Sequence, residues 1–412
     1  MQLAEPRLDI KRQELAKEYA RITRRLYFIE LATVGAVLLA LVFGGFSVKL
    51  SYFLAFSQPW ASASYFAILV VGLGIIMMPV TYYQGFILPR RYGLSNQSLG
   101  AWLADRAKAS VLAFLLGLVV VILIYWLLDR FPAIWWLWAG ILVLLLSLLL
   151  TRLTPTLLLP IFFKLEPVDN VELKQRLMNL AERAHAQIVS VFTMDLSSKG
   201  TTANAMLAGL GKTRGIILSD TLLQQYTEEE IEVVLAHELG HHVHRDIPKL
   251  ITVQTIVVLL AFYLSDLVLR AGLIPLDFQG IADVAAFPLL LLSLGAFGLI
   301  VTPLINAYSR YVEASADEAA LQLTGNPQAF VTAMTKLTDQ NLAVADPSRW
   351  VELLFYDHPP YTKRVDLARR YKSRPSLRAK RSHPMPTDTP PRLPHPDVIG
   401  TRNDDKHKEA SD

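Results

Sequence analysis

Six long apolar runs constrain the fold of this 412-residue chain more than any other feature. A helix needs roughly 20 apolar residues to cross the hydrocarbon core of a bilayer, so each run predicts a transmembrane helix. The sequence is 52% hydrophobic and only 18% charged, a balance typical of a membrane protein that also carries a sizeable soluble part. We therefore expect a mainly α-helical polytopic membrane protein, with spans near 27–48, 62–85, 107–128, 133–157, 249–270 and 285–307.

The distribution of Lys and Arg predicts the orientation of these helices in the lipid bilayer. Short loops on the cytoplasmic side carry the excess of basic residues. Segment 1–26 and the loop after the second run are basic, whereas the loop after the first run has only Lys49. Both termini are then cytoplasmic, and 1–26 is expected to form a basic helix on the membrane surface. These segments account for the net charge of +4, so no nucleic acid partner is indicated.

Segment 158–248 is less apolar and predicts a cytoplasmic α+β domain. An amphipathic helix comes first, and a capping box at Thr227 and Glu230 predicts a later helix from about Glu228. Between them lie three strand-like runs joined by polar or glycine-containing turns, which predict a small antiparallel sheet: "IVSVFTMDLSS", "NAMLAGLG" and "RGIILSDTLL".

The later helix carries the motif "HELGH", which is typical of a zinc hydrolase. His237 and His241 are one turn apart, so both imidazoles project from the same helix face and can share one metal ion. Glu238 lies about 100° further round, where a general base for zinc-activated water is wanted. The alternative is an ordinary histidine-rich helix face. His244 also falls on the histidine face and is an optional accessory ligand.

A third metal ligand is predicted from the end of the sixth apolar run. A catalytic zinc takes three protein ligands, and the chain has no cysteine to supply one. The motif helix leads into the fifth run, and Glu313 follows the sixth, so a hairpin of the two spans returns Glu313 to the same face of the membrane. Asp317, one turn later, is placed to accept a hydrogen bond from a liganding histidine. The alternative for "EASAD" is a solvated acidic stripe.

From about residue 80 to 370 the chain resembles the type I CAAX prenyl endopeptidases, which are integral-membrane zinc metalloproteases. The resemblance implies one zinc ion per chain bound by His237, His241 and Glu313, with Glu238 as the catalytic base and Asp317 behind the ligands. It also implies a cytoplasmic, gluzincin-like metalloprotease domain. The segments that carry it are "RRYGLSNQS", "LLLPIFFKLEPV", "NAMLAGLGKTRGIILSDTLL", "HELGH", "NAYSRYVEASAD" and "DHPPYTKR".

The same resemblance implies roles for less obvious residues. Asn204 and Ala205 would form a sheet edge along which a peptide or protein substrate lies in extended form. His358 would stabilise the oxyanion beside the metal. Arg310 and Arg364 would orient the acidic residues or a substrate carboxylate.

Differences from the eukaryotic pattern favour a bacterial member in the inner membrane. The chain has six predicted spans where the eukaryotic members have seven, and it carries His242 and Asp246 around the end of the motif helix. The resemblance implies a membrane-associated substrate, either an isoprenylated C-terminal peptide or a damaged membrane protein.

Two alternatives from other functional classes remain open at this point. One is a membrane transporter, although ionisable residues within the predicted spans are sparse. The other is a scaffold with a structural metal site, closed by His244 or Asp246 as a fourth ligand.

The sequence thus predicts six regions in order along the chain. These are a surface helix 1–26, four spans in 27–157, the first part of the catalytic domain 158–248, a transmembrane hairpin 249–307, the second part of the catalytic domain 308–372 and a disordered tail 373–412.

Overall fold

The computed structural model describes residues 7–54, 56–209 and 214–373. Apart from Ser373, the predicted tail 373–412 lies outside these residues. The helices are α1 Ile10–Phe43, α2 Phe46–Leu54, α3 Trp60–Tyr82, α4 Leu88–Arg91, α5 Leu99–Arg130, α6 Trp135–Leu153, α7 Leu159–Phe162, α8 Val171–Arg183, α9 Asp220–Gln225, α10 Glu228–Val243, α11 Asp246–Gly272, α12 Phe287–Thr324, α13 Pro327–Gln340, α14 Arg349–Phe355 and α15 Tyr361–Ser373.

Six helices in the described chain are long and apolar enough to cross a membrane, and they coincide with the six predicted runs. Two of them are continuous through π-helical turns at Tyr83–Ile87 and Thr154–Leu158, which join α3 to α4 and α6 to α7. The six spans are Ile10–Phe43, Trp60–Arg91, Leu99–Arg130, Trp135–Phe162, Asp246–Gly272 and Val284–Thr324.

The prediction of a separate surface helix over 1–26 is wrong, because α1 runs without a break from Ile10 to Phe43. The polar first turns of α1 are hydrogen-bonded to residues near the end of α13. Arg12 donates hydrogen bonds to the carbonyls of Asp339 and Gln340, and the Gln13 amide donates to Asp339 and accepts from the Ala345 N–H. Residues 9–13, here called the α1 stem, therefore pack against the loop that follows α13.

The soluble part contains a four-stranded sheet in the order β1-β2-β4-β3, which is mixed rather than antiparallel as predicted. The central pair β2 and β4 is parallel, because the chain that joins them passes through β3, which pairs antiparallel with the other edge of β4. A strand the sequence did not indicate, β1, pairs with β2 on the far side. The strands are β1 Leu165–Pro167, β2 Ser190–Met194, β3 Ala205–Ala208 and β4 Gly215–Ser219.

One face of this sheet, here called the inner face, packs on α10 and belongs to the core of the soluble part. Because side chains alternate along a strand, the inner face carries the odd-numbered Val191 and Ala205 together with Ile216 and Leu218 of β4. These side chains are buried against Leu235 and its neighbours on α10. The opposite, outer face carries Phe192, Met194, Ile217 and Met206 in register.

Close contact between α10 and α12 sets the position of the motif helix relative to the membrane. Gly240 lies on the α10 face that meets α12, and a Cβ at this position would come within 3.0 Å of the backbone of Ala316 and of the Ala319 methyl group. Small residues on both helices therefore allow the two backbones to approach closely. This contact brings the end of the sixth span against the "HELGH" motif.

We expect Gly240→Ala to destabilise the protein by about 1–3 kcal/mol, because the added methyl group must push α10 away from α12. Thermal unfolding in detergent measures the change. Gly298→Ala is the matched control, since a Cβ at Gly298 in α12 meets nothing within 4 Å. The replacement of glycine by alanine within a helix is by itself stabilising. Equal melting temperatures for the two variants would contradict the close contact.

Candidate metal centre and active site

Helix α10 presents both motif histidines on its buried side. Its start at Glu228 confirms the predicted capping box, because the Thr227 N–H donates to the Glu230 carboxylate at 2.9 Å and the Glu230 N–H donates back to the Thr227 hydroxyl. One turn of helix separates His237 from His241, and their ring centroids are 5.0 Å apart. The capping box fixes where α10 begins, and the position of the two histidines along the helix follows from that start.

Glu313 of α12 lies between the two histidines. Its carboxylate oxygens are 3.2 Å from His237 Nε2 and 3.5 Å from His241 Nε2. One donor atom from each of the three residues falls within 4.8 Å of the other two, and this is the arrangement that can hold a metal ion. The structure therefore brings together the three residues that the sequence predicted as ligands.

The remaining ring nitrogens of the two histidines are both bound to buried carboxylates. His237 Nδ1 donates to Asp317 Oδ1 at 2.8 Å, and His241 Nδ1 donates to Asp246 Oδ2 at 3.0 Å. Both Asp317 and Asp246 are 1% exposed. Since each Nδ1 carries the proton, each Nε2 keeps a lone pair directed toward Glu313. Carboxylates in this position fix the tautomer and orientation of metal-binding histidines.

Sequence reasoning missed this contact of Asp246, which it considered only as a fourth ligand. The contact depends on a sharp turn between α10 and α11, where Arg245 adopts the left-handed conformation with φ 52°. That turn brings Asp246, the first residue of α11, back beside His241. The available signal was an acid five residues after the second motif histidine, but its geometry follows only from the turn.

The donor set fits a divalent transition metal. Bonds of about 2.0–2.1 Å in a tetrahedral arrangement put neighbouring ligand atoms roughly 3.3 Å apart, close to the separations of Glu313 from the two imidazoles. Glu313 Oε2 is buried and accepts no hydrogen bond of good geometry from the residues that the structure describes. A buried acceptor of this kind requires a partner, and a metal ion supplies one. Three ligands leave a coordination position open, as in catalytic rather than structural sites.

The carboxylates around His237 make this position favourable for positive charge. Burial lowers the pKa of His237, but the neighbouring carboxylates of Asp317 and Glu313 outweigh burial and raise the pKa to about 9. A field that favours a proton on the imidazole equally favours a cation bound to its nitrogen.

Glu238 faces a cavity beside the metal group. The cavity has a volume of about 370 Å³ and is open to the surface. Burial raises the pKa of Glu238, while His237 and His241 lower it in part. A carboxylate with a raised pKa accepts a proton more readily, which suits a general base. The lining also includes Asn204, Ala205, His358 and Arg364.

His358 stands at the mouth of this cavity. Its Nε2 is 3.3 Å from Glu313 Oε2, and its Nδ1 donates to Asp357 at 2.8 Å. The hydrogen bond to Asp357 raises the pKa of His358, although burial opposes it. A protonated imidazole beside the metal group can stabilise a developing negative charge.

The two arginines act on different parts of the site. Arg364 of α15 donates to both oxygens of Asp317, so it holds the carboxylate that orients His237. Arg310 does not reach the metal group: it donates to the carbonyls of Glu352 and Tyr356 and lies 3.6 Å from the Glu352 carboxylate. Arg310 therefore fixes the segment that leads into His358, rather than the acidic residues.

Ala205 is the first residue of β3, which has no partner strand on its outer edge within the described chain. The backbone of Asn204 is bonded to Ser219, whose N–H donates to the Asn204 carbonyl at 2.9 Å. Because bonded pairs alternate in an antiparallel ladder, the N–H and C=O groups of Ala205 and Leu207 point to the free edge. That edge borders the cavity that contains Glu238.

The other histidines of α10 do not join the metal group. His242 contacts Arg214, whose guanidinium is 2.9 Å from its Nδ1. His244 caps the end of α10, and its Nδ1 is buried without a hydrogen-bond partner. Asp246, the other proposed fourth ligand, is engaged with His241 and Lys249. The described site is therefore not closed by a fourth ligand, as a structural metal site would be.

Asp266, an ionisable residue within the fifth span, is held by hydrogen bonds to its neighbours. Asp266 in α11 accepts a hydrogen bond from the Trp135 indole at 2.6 Å and another from Arg270 at 2.8 Å. Both carboxylate oxygens of Asp266 are therefore engaged by neighbouring side chains, so Asp266 does not provide a free site for a transported ion.

Two family models together match almost the whole described chain. The family model described as Peptidase family M48 matches residues 167–372, and the one described as CAAX prenyl protease N-terminal, five membrane helices, matches residues 4–164. The second region contains four of the six candidate spans and the shorter helix α2.

Related sequences and one solved structure cover most of the chain. A protein of Bacillus subtilis (strain 168) described as an uncharacterized metalloprotease, YhfN, is 28% identical over 90% of this chain and 89% of its own length. CAAX prenyl protease 1 of Saccharomyces cerevisiae is 26% identical over 71% of this chain and 68% of its own. The fold is similar to that of S. mikatae Ste24p, with a TM-score of 0.77, 22% identity, and coverage of 89% and 92% of the two chains.

These matches give no support to a transporter or a scaffold. Together with the buried His-His-Glu group, they identify an enzyme that cleaves peptide bonds and is embedded in the membrane by several helices. The chain belongs to peptidase family M48 and is a membrane-embedded metalloprotease of the CAAX prenyl protease family.

Proposed function

We propose that this metalloprotease is a zinc endopeptidase with one zinc ion per chain, held by His237, His241 and Glu313. The observation that carries the proposal is the pairing of each histidine Nδ1 with a buried carboxylate, which leaves two Nε2 lone pairs beside Glu313. Two imidazoles and one carboxylate with an open position form a ligand set that zinc hydrolases use, and the chain offers no cysteine.

In this proposal each side chain around the metal has its own role in peptide hydrolysis. Zinc, when bound, supplies a Lewis acid that polarises the scissile carbonyl and lowers the pKa of water to about 7. Glu238 takes the proton from the attacking water and delivers it to the leaving amine. His358 donates to the carbonyl oxygen as its negative charge develops. Asp317, held by Arg364, and Asp246 keep the two histidines in orientation.

We infer that the substrate binds in extended form along the free edge of β3. The backbone groups of Ala205 and Leu207 point to this edge, and the edge borders the cavity that Glu238 lines. Strand addition recognises the main chain, so it accepts many sequences and leaves selectivity to side-chain pockets. Asn204 lies at the start of the strand and faces the same cavity.

We further propose that the chain lies in the inner membrane of a bacterium with both termini in the cytoplasm. The basic segments on one side of the spans support this orientation. Contacts of the α1 stem with Asp339 and Gln340 put the N-terminal end of the first span on the same side as the soluble part.

The substrates proposed are membrane-associated proteins, either isoprenylated C-terminal peptides or damaged membrane proteins. The relative in Saccharomyces cerevisiae is described as CAAX prenyl protease 1, which favours the first class. Cleavage of one peptide in prenylated and unprenylated forms, measured in detergent with zinc present, distinguishes the two classes.

Replacement of Glu238 by Gln tests the catalytic base. We expect cleavage of a fluorogenic peptide to fall by about 10²–10⁴-fold, because the amide cannot accept the proton, while bound zinc stays near one per chain. Metal content is measured by elemental analysis of the purified variants. His237→Ala is the contrasting variant, which should lose both zinc and cleavage. A Glu238→Gln enzyme that cleaves at the wild-type rate would remove Glu238 from the mechanism.

Replacement of Asp246 by Ala tests the support of His241. Loss of a carboxylate behind a metal-binding histidine lowers metal affinity about 10–100-fold, and we expect a loss in that range in competition with a zinc chelator. Lys249→Ala is the matched control, because Lys249 binds the other oxygen of Asp246 and is largely exposed. It should change zinc affinity little. If Asp246→Ala also left affinity unchanged, the hydrogen bond to His241 would have no part in metal binding.

A further inference from the structure

The outer face of the sheet carries an uncharged, mainly apolar cavity next to the β3 edge. Its walls include Phe163, which follows α7, Met194 and Leu196 at the end of β2, and Met206 in β3. Asn204 stands between this cavity and the one that Glu238 lines, and both cavities share it. The outer-face cavity has a volume of about 420 Å³.

The strand register determines which side chains of a bound substrate face this cavity. Met206 is paired with Ile217, which is paired with Phe192, so these three side chains point to the outer face. Ala205, one residue earlier, points to the inner face and toward α10. A strand added to the free edge of β3 follows the same pleat, so the substrate residue opposite Met206 also points to the outer face. Its two neighbours point to the metal side.

The chemistry of the lining favours an apolar occupant. Six of the nine described lining residues are apolar and none carries a charge; the three polar ones are Thr202, Asn204 and Asn341. One cation close to the cavity wall, Lys199, is neutralised by Asp105 at 2.5 Å and lies 4.5 Å from the centre of the Phe163 ring. A charged group placed here would lose its hydration without gaining a partner. Met194 and Met206 have flexible, polarisable side chains that adapt to apolar groups of different shape.

We propose that this cavity is a specificity subsite for one large apolar side chain of the substrate, carried by the residue opposite Met206. The inference rests on the proposed binding of substrate along β3. Its volume lies within the range of roughly 300–1,000 Å³ found for small-molecule sites. The subsite gives the enzyme a preference for a large apolar side chain at this position of the substrate, which main-chain pairing alone does not provide.

The test is a series of fluorogenic peptides in which a single Leu moves one position at a time through a frame of Ala and Ser. The zinc-loaded, full-length protein in detergent is the enzyme. We expect kcat/KM to rise by about tenfold or more when Leu occupies the outward-facing position, and to fall back at the positions on either side. Equal kcat/KM for every Leu position, with all peptides cleaved, would overturn the subsite and leave the protease intact.

Variants of Met206 test whether the preference for Leu arises from this cavity. Met206→Gln keeps the length of the side chain but puts an amide on the cavity wall, so the ratio of kcat/KM between the preferred Leu peptide and the all-Ala frame should fall about tenfold. Met206→Leu, which keeps the wall apolar, should retain the ratio. Val171→Gln, on the exposed start of α8, is the control for a surface amide and should leave the ratio unchanged.

The outcomes separate this inference from the function it rests on. An unchanged ratio in Met206→Gln, with normal thermal unfolding, would show that the preference arises elsewhere and would overturn the subsite. A zinc-loaded wild-type enzyme that cleaves none of the peptides would overturn the proposed substrate binding itself, and the subsite with it.

Discussion

The packing of α10 against α12 is the contact on which the metal centre depends. It places Glu313 between His237 and His241, which are more than 70 residues earlier in the chain, and it buries Asp317 against the ring of His237. A third segment closes the arrangement, since Arg364 of α15 donates to both oxygens of Asp317. Gly240 makes the contact possible because any larger residue would meet the backbone of Ala316. The site therefore exists only when three separate segments are assembled.

The same helices connect the site to the membrane. Helix α11 begins at Asp246, beside His241, and continues as the fifth span, while the sixth span continues through Glu313 as part of α12. The metal centre is thus fixed at the end of a transmembrane hairpin rather than carried on a mobile domain. On the other side of the cavity, the α1 stem holds the end of α13 and the loop after it. The amide groups of Gln340 and Asn341, at the end of α13, bind the segment just before β3. The first span therefore contributes to the position of the proposed substrate edge.

The features that the sequence predicted are those that depend on periodicity and spacing. The spans follow from the length of the apolar runs, and the pair His237 and His241 follows from one turn of helix. Glu313 could be predicted as the third ligand because a hairpin of the fifth and sixth spans returns it to the "HELGH" helix. The hydrogen bond of Asp246 to His241 could not be predicted, since it depends on the left-handed turn at Arg245. The parallel pairing of β2 with β4 and the contacts of the α1 stem involve partners far apart in sequence, which local patterns do not reveal.

The charge balance of the site gives an independent reason to expect a divalent cation. Four carboxylates, those of Glu238, Asp246, Glu313 and Asp317, converge on the two histidines, and two permanent cations, Arg364 and Lys249, pair with them. Two negative charges are left in a partly buried setting, where an unpaired charge is costly. His358 neutralises part of this charge when protonated, but it stands at the exposed mouth of the cavity. A divalent ion bound through the imidazole nitrogens balances the remainder without a further basic side chain, and so leaves one face of the site free for substrate.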